Sequence, residues 1–223
     1  TATTVAQRFV DAGVKGVIGH LNSGASIPAS RIYNEGGIPQ ISPASTNPKL
    51  TQQGFKATFR TIANDKAQAK LTSNFVLNGI KAKKVAYLHD NGDYGKGFVD
   101  NNREVLEKAG VETVLYEAVT PDAVDFSAVV RKLRRAKPDI IVFGGYQPVA
   151  SKLLQQMRRD NLKTPLIGPD GVKDETFLKM TGKDSEGTYA SYPKDTSNLP
   201  AYKHALEGHV KMFGSDPGSF YYN

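Results

Sequence analysis

At 223 residues, with 39% hydrophobic and 23% charged side chains, the chain has an ordinary globular composition and can bury a core in one large or two smaller domains. Cysteine is absent, which excludes disulfides, thiolate catalysis and cysteine-held metal, and His20, His89, His204 and His209 are dispersed, so neither metal nor cofactor is expected. The net charge is +7, but the basic residues gather at helix ends and exposed faces without a nucleic-acid module, and no apolar run approaches the roughly 20 residues that span a bilayer.

Residues 1–12 set Val5, Phe9 and Val10 on one face of a helix that Gly13 ends. A strand over 14–19 leads into a loop over 20–25 and a helix over 26–35, with Pro28 in its first turn and Gly36-Gly37 closing it. A second strand follows over 38–42, then a long loop over 43–54 and an extended segment over 59–62. The chain opens on a helix that already needs a sheet, and no basic, apolar and small-residue leader precedes it. Its natural beginning is therefore expected to be missing.

From Asp65 the pattern restarts. A helix over 65–77 turns Leu71, Phe75 and Val76 inward, a strand spans 84–88, a turn-rich loop spans 89–94, and a helix spans 95–109. Strand 111–118, helix 126–136, strand 139–143, helix 148–159 and strand 165–168 continue the alternation, with a further strand over 187–192. Helices between strands at this spacing predict an α/β fold of two doubly wound parallel-sheet lobes joined by a hinge. Residues 1–62 form the first lobe, 63–65 the hinge crossover and 66–192 the second lobe. Residues 193–223 return to the first through a linker over 193–200 and a helix over 199–213, and Phe220-Tyr221-Tyr222 opens a further element. The carboxyl end is also expected to be incomplete. Two lobes with more than one crossover form a hinged clamp, with the site expected between them.

Ligands of open α/β sheets collect beyond the carboxyl ends of the strands. In the first lobe the runs at 16–19 and 38–42 each break into small hydroxyl residues and glycine, which offer Ser23, the Ala44 carbonyl, Ser45 and Thr46. In the second, Tyr94, Tyr146 and Asp170 each follow a predicted strand. The set suits a zwitterion. Ser23 and Thr46 donate to a carboxylate, Ala44 and Asp170 accept from an ammonium, and the tyrosine rings supply walls with polar tips. Singly, Ser23, Ser26 and Thr46 also read as caps or turn residues, Tyr94 and Tyr146 as packing, and Asp170 as a turn residue.

Catalysis is not expected. His20 and Ser23 are three residues apart across a strand end without a G-x-S-x-G elbow, and the glycines at 92, 95 and 97 do not fit G-x-G-x-x-G.

The ordered segments GVIGHLNS, ISPASTNPKLT, FRT at 59–61, HDNGDYGKG, DFSAVVRKL, GGYQP and GPDGV resemble the periplasmic leucine/isoleucine/valine-binding proteins. These are amino-acid receptors of ABC transporters with the type I periplasmic-binding fold, and the resemblance covers nearly the whole chain. It implies carboxylate contacts at Ser23 and Thr46, ammonium contacts at Ala44, Thr46 and Asp170, and cleft tyrosines at Tyr94 and Tyr146. It further implies a non-enzymatic periplasmic receptor that binds an aliphatic or branched-chain amino acid and delivers it to a membrane permease, with no nucleic-acid partner and no membrane insertion. No signal peptide is visible in this chain. Two positions depart from the family pattern. Asn22 stands where some relatives have a cysteine, so their disulfide is absent. Asp170 is one methylene shorter than the glutamate often found in branched-chain binders, which leaves room for an amide, urea or aromatic acid, in a transport receptor or a sensor.

Overall fold

Two parallel sheets, one of three strands and one of five, organise the chain, which the computed structural model describes over residues 1–218 and 220–221. The chain divides into two units: Thr1–Ala63 together with the segment from Pro193 onward, and Asn64–Tyr192. The α/β class and the parallel sheets agree with the sequence pattern.

In the first unit α1 (Ala2–Asp11) is followed by β1 (Val17–Ile18), α2 (Ser23–Glu35), β2 (Gln40–Ser42) and β3 (Thr58–Arg60), with sheet order β1-β2-β3. Val17, Ala29, Tyr33 and Ile38 form its core with Ala6 of α1. Because strand side chains alternate, the register row Val17, Gln40, Thr58 is buried. The neighbouring row Ile18, Ile41, Phe59 lies on the open face, where Ile18 is 78% exposed.

Two expectations in this unit are corrected. β1 is two residues long instead of spanning 14–19. Val17 N–H bonds the Pro39 carbonyl, but Pro39 has no N–H to extend the ladder toward residue 15. α2 begins at Ser23, three residues earlier than expected. Pro28 thus sits inside the helix, withholding the N–H that would bond the Gly24 carbonyl.

The second unit contains α3 (Asp65–Asn74), β4 (Lys84–His89), α4 (Asp93–Lys108), β5 (Glu112–Ala118), α5 (Ser127–Ala136), β6 (Ile140–Gly144), α6 (Gln147–Arg159), β7 (Leu166–Gly168), α7 (Glu175–Thr181) and β8 (Thr188–Ala190). All neighbours in the order β5-β4-β6-β7-β8 are parallel. The winding reverses between β4 and β6, the switch point where open α/β sheets bind ligands. Both faces are covered. Val85, Tyr87, Ile140 and Val142 pack on Phe98, Val99 and Leu106 of α4. Ala86, Leu88, Ile141 and Phe143 pack on Val129, Val130 and Leu133 of α5 and Leu153, Leu154 and Met157 of α6. Burial on both faces is why these strands read as continuous apolar runs.

Leu71 does not face inward: it is 57% exposed. α3 instead packs on α4 through Asp65, Ala69, Thr72 and Ser73, and Ser73 Oγ donates to Asn102 Oδ1 at 3.2 Å. Those smaller residues form the i, i+4, i+7, i+8 stripe that permits close helix approach, and Leu71 lies off it. Beyond Asn74 the helix widens into a π turn over Phe75–Ile80 that buries Val76. α7, in a stretch for which the sequence pattern offers no element, is capped by Asp174, whose side chain accepts from Thr176 N–H at 2.7 Å.

α8 (Pro200–Phe213) ends at Gly214 in the left-handed region, φ +70°. The element expected from Phe220 onward falls partly outside the described residues, at Tyr222. Among the described residues no helix is long and apolar enough to cross a membrane.

Candidate functional site

The second unit gathers its three expected residues at the carboxyl edge of the sheet. α4 begins at Asp93, two residues earlier than expected, so Tyr94 sits in a helix first turn and not in the preceding loop. Tyr146 follows β6 and caps α6, and Asp170 opens a 3-10 turn (Asp170–Val172) after β7. The rings of Tyr94 and Tyr146 lie 5.0 Å apart, tilted by 34°. The Tyr94 hydroxyl donates to Asp170 Oδ1, Gly171 N–H donates to the same oxygen at 3.0 Å, and Gln68 Nε2 donates to Oδ2 at 3.3 Å. Gly171 lies close under both rings: a Cβ there would stand 3.0 Å from Tyr94 Cε1 and 3.1 Å from Tyr146 Cδ1, so a larger residue would need the rings to give by a few tenths of an ångström.

Asp170 is 4% exposed, and burial pushes its carboxyl up against the opposing pull of the Tyr94 and Gln68 hydrogen bonds. Burial and the adjacent Asp170 charge push the Tyr94 hydroxyl up. Burial also raises the Tyr146 hydroxyl, and Asp90, Asp170 and Asp65 all act on it in the same direction. This edge of the sheet is electronegative and suited to a cation.

The first unit builds a hydroxyl-rich loop. Ser42 Oγ donates to the His20 carbonyl at 2.7 Å and accepts from Ser45 N–H at 2.9 Å, while its distance to Ala44 N–H is 3.4 Å. Ser45 Oγ lies 2.6 Å from Ser26 Oγ and reaches the His20 and Leu21 carbonyls at 3.0 Å. Ser45 is thus occupied in tying the 43–47 loop to the start of α2. Ser23, the first residue of α2, accepts from Asn47 N–H at 3.1 Å. Thr46 is fully buried, and its hydroxyl has no hydrogen-bond partner among the described residues. An orphan buried hydroxyl costs about 1–3 kcal/mol until a ligand or water meets it. His20 Nε2 bonds the Tyr33 hydroxyl at 2.9 Å, so His20 and Ser23 are held in separate hydrogen bonds and make no nucleophile–base pair.

Sequence reasoning passed over Gln68, Asp90 and Arg60. Gln68 lies on α3 and meets Asp170 across 102 residues of chain, which no local pattern signals. Asp90 is 8% exposed and accepts Gly92 N–H at 2.9 Å, fixing the turn that launches α4; a D-x-G step after a strand is the available sign. Arg60 on β3 grips the first-unit loop, donating to the Asn47 carbonyl at 2.9 Å, the Ser45 carbonyl at 3.3 Å and Thr51 Oγ1 at 2.8 Å.

A family model described as "Periplasmic binding protein" matches residues 1–223. The chain is 36% identical over 220 residues to a Leu/Ile/Val/Thr-binding protein of Salmonella typhimurium, covering 98% of this chain and 60% of that protein. It is 39% identical over 197 residues to a Leu/Ile/Val-binding protein homolog of Brucella suis, covering 88% and 53%. Among solved structures, a leucine binding protein from Thermotoga maritima superposes with a TM-score of 0.89 at 26% identity, covering 98% of this chain and 63% of that one. A branched-chain amino acid transporter substrate binding protein from Streptococcus pneumoniae, solved with isoleucine, gives 0.82 at 28% identity with the same coverage. The chain thus spans about three fifths of the length of these relatives. On the match over its whole length, the chain belongs to the periplasmic binding protein family.

Proposed function

We propose that the protein is a non-enzymatic, periplasmic solute receptor that binds an aliphatic or branched-chain amino acid and delivers it to an ABC permease. The observation that carries this reading is the Asp170 carboxylate, buried and held by three neutral donors, with no lysine or arginine paired to it among the described residues. A buried charge needs an opposite charge, and a ligand ammonium supplies it. In the first unit Ser23, at the N-terminus of a 13-residue helix, and the orphan Thr46 hydroxyl suit a carboxylate, with Ala44 and Ser45 in the same loop. Tyr94 and Tyr146 supply aromatic walls. The named binding specificities of the relatives support the same ligand class. An amide, urea or aromatic acid would leave Asp170 without a cation and fits less well.

Isothermal calorimetry of the intact protein with leucine, isoleucine, valine, alanine and phenylalanine tests the reading. Saturable heat is expected with the aliphatic members. No heat with any amino acid from correctly folded protein would overturn it.

A further inference from the structure

The Gln68 carboxamide stands between two buried carboxylates. Its Nε2 donates to Asp65 Oδ1 at 3.2 Å and to Asp170 Oδ2 at 3.3 Å. Its Oε1 accepts from Ser191 Oγ at 2.9 Å and lies 3.4 Å from Asp170 N. These partners dictate the amide's orientation: turned over, it would set Oε1 against two carboxylate oxygens and Nε2 against a backbone N–H. Asp170 Oδ1 already takes the Tyr94 hydroxyl and the Gly171 N–H. Oδ2 therefore has the spare lone-pair capacity, and Gln68 is the donor that orients it.

We propose that Gln68 is a positioning residue that keeps the Asp170 carboxylate charged and aims its Oδ2 at a cationic amine, making the site selective for ligands that carry an ammonium. The inference rests on the receptor reading above. Its physical content lies in the choice of a neutral donor. The amide gives one N–H proton to each of the two buried carboxyl groups and so supports the charge on Asp170 without cancelling it. A lysine or arginine in the same place would neutralise Asp170 and remove its attraction for a ligand cation. Ser191, just beyond β8, holds the amide from a second element, so its aim does not depend on α3 alone.

Gln68→Met keeps the length of the side chain and removes both polar atoms; Ser191→Ala removes only the anchor. The first measurement needs no ligand. Carboxyl-carbon NMR follows the titration of Asp170 in the intact protein, with the resonance assigned by its loss in Asp170→Asn. The midpoint is expected to rise by about one pH unit in Gln68→Met and by less in Ser191→Ala. The second measurement is calorimetric affinity for leucine, expected to fall by about tenfold in Gln68→Met, together with a reduced preference for leucine over its neutral deaminated analogue. An unmoved Asp170 midpoint in both variants overturns the inference whether or not amino acids bind. A raised midpoint with unchanged affinity and preference overturns the aiming role. Absence of binding by the unaltered protein overturns the receptor reading and the selectivity drawn from it, and leaves the titration result standing on its own.

Discussion

Gly144 and Gly95 meet backbone to backbone where the end of β6 touches the first turn of α4. A Cβ on Gly144 would overlap the Gly95 carbonyl, and one on Gly95 would lie 2.5 Å from the Gly144 carbonyl oxygen. Neither residue needs a left-handed conformation, so the constraint is space alone. This close approach sets Tyr94, one residue before Gly95, beside Tyr146, two residues after Gly144.

Gly144→Ala is accordingly expected to destabilise the protein by roughly 1–3 kcal/mol through overpacking against backbone that cannot yield like a side chain. Urea denaturation would register a lower midpoint with an unchanged slope. A midpoint equal to that of the unaltered protein would show that α4 can shift freely.

On the proposed function, Asp170→Asn and Thr46→Ala should each weaken amino-acid binding by more than about tenfold, since each would remove a contact proposed for a charged end of the ligand. The two losses have different causes. Asp170→Asn keeps shape and removes charge, whereas Thr46→Ala removes the one hydroxyl of its loop left without a partner. Calorimetry that returned unchanged affinity for both would place the ligand elsewhere.

Binding should also follow the Asp170 titration. Its carboxyl is raised in the folded protein, chiefly by burial, so the folded state holds the proton more tightly than the unfolded chain. The contribution of this group to stability is therefore fullest below the ordinary aspartate value and is lost as pH rises through the raised one. Ammonium binding runs the opposite way: it needs the ionised carboxylate and should fade as pH falls through the raised value. Affinity measured from pH 7 downward should weaken before an ordinary carboxylate would titrate, and the Asp170-linked part of that fall should disappear in Asp170→Asn.

Arg60 is expected to act on the first-unit loop from behind. Arg60→Met removes donors to the Ser45 and Asn47 carbonyls and to Thr51. Because the guanidinium is partly exposed, solvent screening reduces the effect, and about 1–2 kcal/mol of stability should be lost. Arg60→Lys should recover little of it, since a single ammonium cannot reproduce the fork. Thermal melting of both variants, with hydrogen exchange across residues 43–51, gives the comparison. Equal protection in all three proteins would remove the clamp.

The strand–helix alternation was legible because burial on both faces writes itself as unbroken apolar runs, as in Val85 to Leu88 and Ile140 to Phe143. Ser23, Thr46, Tyr94, Tyr146 and Asp170 were candidates because small or polar residues follow the ends of predicted strands, but Ser23 and Tyr94 stand in the first turns of α2 and α4 and not in the expected loops. The starts of α2 and α4 were not legible. Gly92 caps α4 with no side chain to signal it, and Asn22, which caps α2 without a side-chain hydrogen bond, stands among Ser23, Gly24 and Ser26, each of which could also begin a helix. The length of β1 depended on the missing N–H of Pro39, the residue just before the neighbouring strand β2.

By itself, then, the order of residues determined the class of fold and the chemistry available at the strand ends, because both follow from local period and residue type. Tertiary structure alone decided that Tyr94 and Gln68 would hold Asp170, that Gly95 would meet Gly144, and that Leu71 would face solvent. Each depends on which distant elements touch, and contacts across 76 or 102 residues leave no local trace.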